Sequence, residues 1–277
     1  MSRMGRAVLL LLGVGLLAAG CGGDGEGTTA PAAPEPREAP AATEPSTTRT
    51  TPPPRVAPSP KPAPRCTVGT TVSSAGDGVA AVLDRATTAH RTPGGPAIAS
   101  FGLRNVNGVP TTFSVLAERL GPDCRPAWYH VQLPVRPNGT DGWIRASAAR
   151  RYVVDYRIVV DLSDRVVTVF KGGEEHVRTP TAIGRSETPT PTGSFYVNQR
   201  LLSGDPSGPF GPGGIGISAF SPVLTGWAQG GPIAIHGTNQ PESIGNAASN
   251  GCLRIANDVL EQLIHEIPDG TPVRIRA

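Results

Sequence analysis

Tyr156-Arg-Ile-Val-Val-Asp-Leu162 and Arg165-Val-Val-Thr-Val-Phe170 are two runs rich in β-branched residues, parted by Ser163-Asp164. Such side chains are stiff about χ1 and fit a pleated surface, and a short polar break between two of them predicts a hairpin. Downstream, Val177 to Ile183 and Gly193 to Val197 read as further strands, and Ser203 to Gly216 as a Gly/Pro-rich loop at a rim. Pro232-Ile-Ala-Ile235 is a short apolar strand that ends at His236. One helix is predicted, with Asn257 as its cap, Asp258 in its first turn, and Val259, Leu260, Leu263, Ile264 and Ile267 on one face. Pro268-Asp-Gly270 stops it, and Thr271-Pro-Val-Arg-Ile275 closes the region as a strand. Residues 154–277 therefore read as one mainly β domain of about 125 residues, long enough for a single core.

Upstream, residues 66–150 read as a smaller β domain. In Trp128-Tyr-His-Val-Gln-Leu133, Trp128, His130 and Gln132 alternate with Tyr129, Val131 and Leu133. Asn138-Gly139 is a turn dipeptide before Gly142-Trp-Ile144. This stretch resembles bacterial SH3-like modules, which carry a comparable strand pair. Gly76 to Thr88 is expected as a short helix.

The N-terminus has Arg3 and Arg6, then an apolar run from Val8 to Leu17 broken by Gly13 and Gly15, then Ala18-Ala-Gly-Cys21. A basic start, a short apolar core and small residues make a secretory signal. The run is too short for a helix across about 30 Å of hydrocarbon. Leu17-Ala-Ala-Gly-Cys21 resembles a bacterial lipoprotein signal, departing from it in having Ala18 where leucine is usual. The resemblance implies a lipid on Cys21 and a protein exported to the membrane face of the cell wall; an ordinary cleaved signal is the plainer reading of 1–21. Residues 22–65 are rich in Pro, Ala, Thr and Glu, a disordered linker by composition. Extended at about 3.1 Å per residue, such a spacer reaches on the order of 100 Å.

The formal net charge is +3, and no basic run interleaves with aromatics, so nothing points to nucleic acid. Of the four cysteines, Cys66 and Cys124 can pair in an oxidising compartment or stand as free thiols. Cys252 is left over, and an unpaired thiol in an exported protein suggests chemistry. His90, His130, His176 and His265 form no metal-ligand spacing; His265 sits on the solvent side of the helix. No metal or cofactor is implied.

The decisive constellation is Ile235-His-Gly-Thr-Asn239 followed by Ala248-Ser-Asn-Gly-Cys-Leu-Arg-Ile255, with His236 and Cys252 16 positions apart (252 − 236). A thiolate is the reactive species, and an imidazole can take the thiol proton and return it to a leaving amine. With Ile158-Val-Val-Asp-Leu162, Thr188-Pro-Thr-Pro-Thr-Gly193 and Gly270-Thr-Pro-Val273, these residues resemble the L,D-transpeptidase (YkuD) catalytic domain. His236, Ser249, Gly251, Cys252 and Arg254 match its motif, whereas Asn250 stands where the family has histidine. Asn250 cannot serve as a base.

The resemblance implies a β-sandwich with one or two helices over 154–277. Its activity would be a cysteine acyl transfer that cross-links peptidoglycan stem peptides. Cys252 would be the nucleophile and His236 the base. The Gly237 carbonyl would orient the imidazole; our own expectation, beyond the resemblance, is that the N–H groups of Gly251 and Cys252 face an oxyanion. Ser249 would shape the turn. Arg254 has two readings, a substrate-carboxylate ligand or a surface arginine. The partners implied are a donor tetrapeptide stem and an acceptor amine, and carbapenem acylation of Cys252 is expected. Hydrolysis by the same residues, an L,D-carboxypeptidase, and a non-catalytic wall-binding lipoprotein are the competing readings.

Overall fold

The computed structural model describes residues 78–277. The signal of residues 1–21 with Cys21, the linker of residues 22–65, and Cys66 lie outside the described residues. The described chain falls within one compact unit and is mainly β, with two large sheets, one two-stranded sheet and two hydrophobic cores.

The first sheet comprises β1 (Gly78–Leu83), β2 (Thr87–His90), β3 (Ala97–Phe101), β4 (Thr112–Leu120), β5 (Pro126–Gln132), β6 (Asp141–Arg145) and β7 (Ala149–Val154). Its order is β3-β2-β6-β5-β4-β1-β7, and every neighbouring pair is antiparallel. The Trp128 to Ile144 hairpin forms as β5–β6, from Trp128↔Arg145 to Gln132↔Asp141. Tyr129, Val131 and Leu133 point into the first core with Phe113 and Ile144. The helix expected over Gly76 to Thr88 is not what forms: its described part is β1, a turn and β2. β1 is paired on both edges and packed on both faces, with Val79, Ala81 and Leu83 in the first core and Ala80 in the second. Its small Ala80 and Ala81 let two cores approach one strand.

The second part adds β8 (Tyr156–Asp161), β9 (Val166–Lys171), β10 (Glu174–Pro180), β11 (Ile183–Gly184), β12 (Gly193–Leu202), β13 (Gly213–Phe220), β14 (Pro232–His236), β15 (Ala247–Ser249), β16 (Leu253–Arg254), α1 (Asn257–Glu266) and β17 (Pro272–Arg276). Eight of these strands form a sheet of order β10-β9-β8-β17-β12-β13-β14-β16, and β11 pairs with β15 apart from it. The opening hairpin forms as β8–β9 in unbroken register from Tyr156↔Lys171 to Asp161↔Val166, with Tyr156, Ile158 and Val160 turned inward. The closing strand β17 inserts mid-sheet, parallel to β8 and antiparallel to β12.

Two boundaries differ from the sequence reading. The expected loop of Ser203 to Gly216 ends at Pro212, because Gly213 to Gly216 pair with Leu202 to Gln199 as the start of β13. A Cβ at Gly216 would meet the Gln199 side chain at 2.6 Å, so glycine there marks a close approach within a strand. Helix α1 forms with Leu260, Leu263 and Ile264 buried, but Ala256 is its cap and Asn257 its first residue. One core takes side chains from both halves of the eight-stranded sheet and from α1. Each fully buried aliphatic chain in it contributes about 1.5–3 kcal/mol.

Candidate active site

His236 ends β14, and Cys252 immediately precedes β16. The two strands pair in parallel, Ile235 with Leu253 and His236 with Arg254. Side chains alternate along a strand, so Ile235 and Leu253 share the face that is buried in the core. His236, Arg254 and Cys252 share the other. Strand pairing thus converts a separation of 16 positions into adjacency, and both His236 and Cys252 line one cleft of about 420 Å³.

His236 is buried, and its Nδ1 lies 2.5 Å from the Gly237 carbonyl oxygen. A carbonyl can only accept, so Nδ1 carries the proton and Nε2 keeps a free lone pair. The Phe210 ring stands edge-on to the imidazole at 5.0 Å. Burial pushes the imidazole pKa down to about 4, and the Arg254 charge adds to this against the Gly237 hydrogen bond. Burial also pushes the Cys252 thiol up, against the Ala234 N–H aimed at its sulfur and the Arg254 charge. Both groups therefore rest neutral, a thiol and an imidazole lining the same cleft. Sγ is turned toward the Pro232 carbonyl at 3.9 Å.

The turn before the nucleophile is tied from several sides. Ser249 Oγ donates to the Cys252 carbonyl at 2.6 Å and accepts from the Gly251 N–H at 3.1 Å. The Gly251 N–H, expected to face an oxyanion, is thus directed at Ser249. Gly251 sits at φ +117°, where only glycine is at ease, and a Cβ there would stand 3.0 Å from Ile233 Cδ1. Thr190 Oγ1 donates to the Gly251 carbonyl and accepts from the Gly184 N–H, each at 2.9 Å. Thr188 Oγ1 donates to the Ser249 carbonyl at 3.2 Å. The Thr-Pro-Thr-Pro-Thr segment is therefore a brace for the turn.

Asn250 is not among the residues lining the cleft, and its Oδ1 accepts from Arg185 Nη2 at 2.5 Å. Arg254 is held in place by neighbouring side chains. It is half-buried, with Nη1 donating to Gln240 Oε1 at 3.0 Å and to Ser243 Oγ at 3.3 Å, while its buried Nε has no protein partner. Asn257, read as a cap, instead accepts from the Thr238 N–H at 2.7 Å through Oδ1. That oxygen fills the space a Cβ would need at Gly237 or Gly211. It holds the turn whose Gly237 carbonyl sets the His236 tautomer, a role no local pattern announces.

His90, His130, His176 and His265 lie outside the cleft lining. His130 meets Asp141 at 2.8 Å and His176 meets Glu266 at 2.7 Å, while His265 is exposed. Cys124 is disulfide-bonded, and Cys252 is the free cysteine among the described residues. Among the described residues, no three His, Cys, Asp or Glu side chains converge as a metal set.

The family model of the L,D-transpeptidase catalytic domain, YkuD, matches residues 155–275. A Bacillus subtilis (strain 168) protein provisionally named L,D-transpeptidase YkuD is 35% identical over 124 residues, covering 45% of this chain and 68% of that one. Its namesake in Bacillus licheniformis is 37% identical over 123 residues, covering 44% and 66%. A crystal structure of an Enterococcus faecium L,D-transpeptidase mutant matches with 25% identity and a TM-score of 0.32, covering 43% of this chain and 49% of that one. The chain thus spans about two thirds of the length of the Bacillus relatives and about half that of the enterococcal one.

Proposed function

This chain belongs to the L,D-transpeptidase catalytic-domain family, and we propose that it is a cysteine acyltransferase that cross-links peptidoglycan stem peptides. The observation that carries the reading is the β14–β16 register. It brings a free thiol and an imidazole of fixed tautomer to one cleft, whose lining holds no lysine, arginine, aspartate or glutamate.

In this mechanism His236 Nε2 takes the Cys252 thiol proton as sulfur attacks the carbonyl carbon preceding the terminal D-Ala of a tetrapeptide stem. The neutral resting pair makes proton transfer part of the attack. The oxyanion forms against the Cys252 N–H, since the Gly251 N–H is engaged by Ser249. The tetrahedral intermediate collapses, the C–N bond breaks, and His236 returns the proton to the departing amine of D-Ala. The thioester is then attacked by the side-chain amine of a second stem. His236 removes the amine's proton and delivers it to the departing thiolate, restoring the thiol. Arg254 supplies positive charge felt by both catalytic groups and fixes the turn at Gln240 and Ser243.

In the same reading the protein is exported and held at the membrane through a lipid on Cys21, with residues 22–65 as spacer and the first sheet as an SH3-like module. The N-terminal sequence and the Trp128 to Ile144 strand pair support this. The test is the intact mass of the full chain and of Cys252→Ala after incubation with a carbapenem, then with a tetrapeptide stem. One drug-sized adduct on the wild type and none on the variant is expected, followed by release of D-Ala into a cross-linked product. An unmodified wild type would sink the acyl-transfer mechanism, and D-Ala release without cross-linking would replace it by an L,D-carboxypeptidase.

A further inference from the structure

Part of the cleft wall is the loop of residues 221–231 between β13 and β14, which contributes Trp227, Gln229 and Gly231 to the lining. Its chain leads directly to Pro232, whose carbonyl faces Cys252 Sγ. Little apolar packing holds it: Val223, Trp227 and Gln229 are exposed. Three successive residues, Gln229, Gly230 and Gly231, have φ of +56°, +79° and +68°. Glycine takes such values freely, but glutamine does so only when its surroundings impose them.

What imposes them comes from the first sheet. Asn107, in the connection between β3 and β4, forms a reciprocal carboxamide pair with Gln229. Gln229 Nε2 donates to Asn107 Oδ1 at 2.8 Å, and Asn107 Nδ2 donates back to Gln229 Oε1 at 3.3 Å. Asn107 Nδ2 also reaches Gln199 Oε1 of β12 at 2.9 Å, and Asn107 itself lines the cleft. At the base of the loop, Arg136 Nη2 donates to the Ser221 and Gly230 carbonyls at 2.7 and 2.6 Å. Asn138 exchanges two hydrogen bonds with the Phe220 backbone, at 2.8 and 2.9 Å.

We propose that the first sheet is a working part of the cleft, with Asn107 as a positioning residue that latches Gln229 so that the 221–231 loop forms a substrate-binding wall of the cleft that Cys252 lines. The inference rests on the acylation reading of the site. It does not involve the reacting atoms, because Cys252 and His236 are placed by β14 and β16. Loss of the latch should weaken capture of the acylating molecule and spare the chemical step.

The experiment compares the full chain as wild type, Asn107→Leu, and the exchanged pair Asn107→Gln/Gln229→Asn, in which the carboxamides swap lengths. Two quantities are read: hydrogen exchange of the 221–231 amides, and the rate of Cys252 acylation across carbapenem concentrations. Asn107→Leu should speed exchange in the loop and raise the half-saturating concentration about tenfold with the limiting rate within about twofold. The exchanged pair should recover both. Exchange and half-saturation at wild-type values in Asn107→Leu would overturn the latch, as would faster exchange with unchanged capture, or a fall in limiting rate alone. A wild type that takes no adduct would remove the acyl-transfer reading, and the exchange comparison alone would then decide the latch.

Discussion

The two walls of the cleft are built on different principles. The wall that carries Cys252 is braced from close by in the chain's second part, by the Ser249 hydroxyl of β15 and the Thr188 and Thr190 hydroxyls of the β11–β12 connection, all bonded to backbone of the turn. The other wall, the 221–231 loop, is largely exposed and takes its anchors from Asn107, Arg136 and Asn138 in the strand connections of the other sheet. Chemistry needs positions fixed to a fraction of an ångström, and a turn tied through buried hydroxyls supplies that. A wall that must admit a peptide is better held by exposed polar contacts that can be broken at small cost.

The largest expected effect comes from breaking the rigid wall at its most strained point. Gly251→Ala forces a side chain into φ +117° and against Ile233, with a cost of about 1–3 kcal/mol from the backbone alone. Displacing the adjacent nucleophile by about 1 Å should lower acylation on the order of 100-fold. Urea unfolding and adduct formation measure the two quantities. A fully active Gly251→Ala would show that this wall is as adaptable as the other.

The next test is whether the rigid wall is dry. With an imidazole pKa of about 4, His236 stays a free base until well below neutrality. The acylation rate should be flat from about pH 5 to 8 and fall tenfold per unit below about 4. Stability follows the same group. The unfolded chain protonates His236 near 6.5 and the folded one near 4, so the unfolded state binds more protons in between. The stability associated with neutral His236 is complete above about 6.5 and falls as pH drops towards about 4, by on the order of 3 kcal/mol in all. An acid limb centred near 6.5 would mean that water reaches the imidazole.

Thr190→Val asks how much of the brace is hydrogen bonding. Valine keeps the shape and removes the hydroxyl, leaving the Gly184 N–H and Gly251 carbonyl without that partner inside the protein. The expected loss is about 1–3 kcal/mol in urea unfolding, with a fall in acylation smaller than that of Gly251→Ala. An unchanged stability would shift the brace onto Ser249 and Thr188.

The rigid wall was largely legible from sequence and the adaptable one was not. The β8–β9 hairpin, β14 and the inward face of α1 follow from periodicity, since a buried face must repeat with the element's own period. His236 and Cys252 stood out because the residues around them resemble the L,D-transpeptidase motif, where a lone histidine and a lone cysteine would carry little weight. The Gly213 start of β13 was hidden, because glycine advertises a loop even where it marks close strand packing. β1 was hidden because Ala-rich strands packed on both faces show no alternation. Asn257 and Asn107 were illegible for another reason: their partners, Thr238 and Gln229, are 19 and 122 positions away. Nothing local requires a carboxamide at either place.

The smallest effect tests the loop's other anchor. Arg136 spans the Ser221 and Gly230 carbonyls while its guanidinium lies 5.3 Å from the centre of the Phe220 ring. Lysine keeps the charge but offers a compact ammonium in place of the planar group that reaches both carbonyls and the ring. Because the site is partly exposed, water can replace the lost bonds, and Arg136→Lys should cost less than about 1 kcal/mol in unfolding. Its signature should be confined to the loop, with faster amide exchange over 221–231 and a roughly threefold rise in half-saturating carbapenem, the Ser249 to Cys252 amides staying as protected as in the wild type. If those amides loosen as well, the two walls share their rigidity and the contrast between them fails.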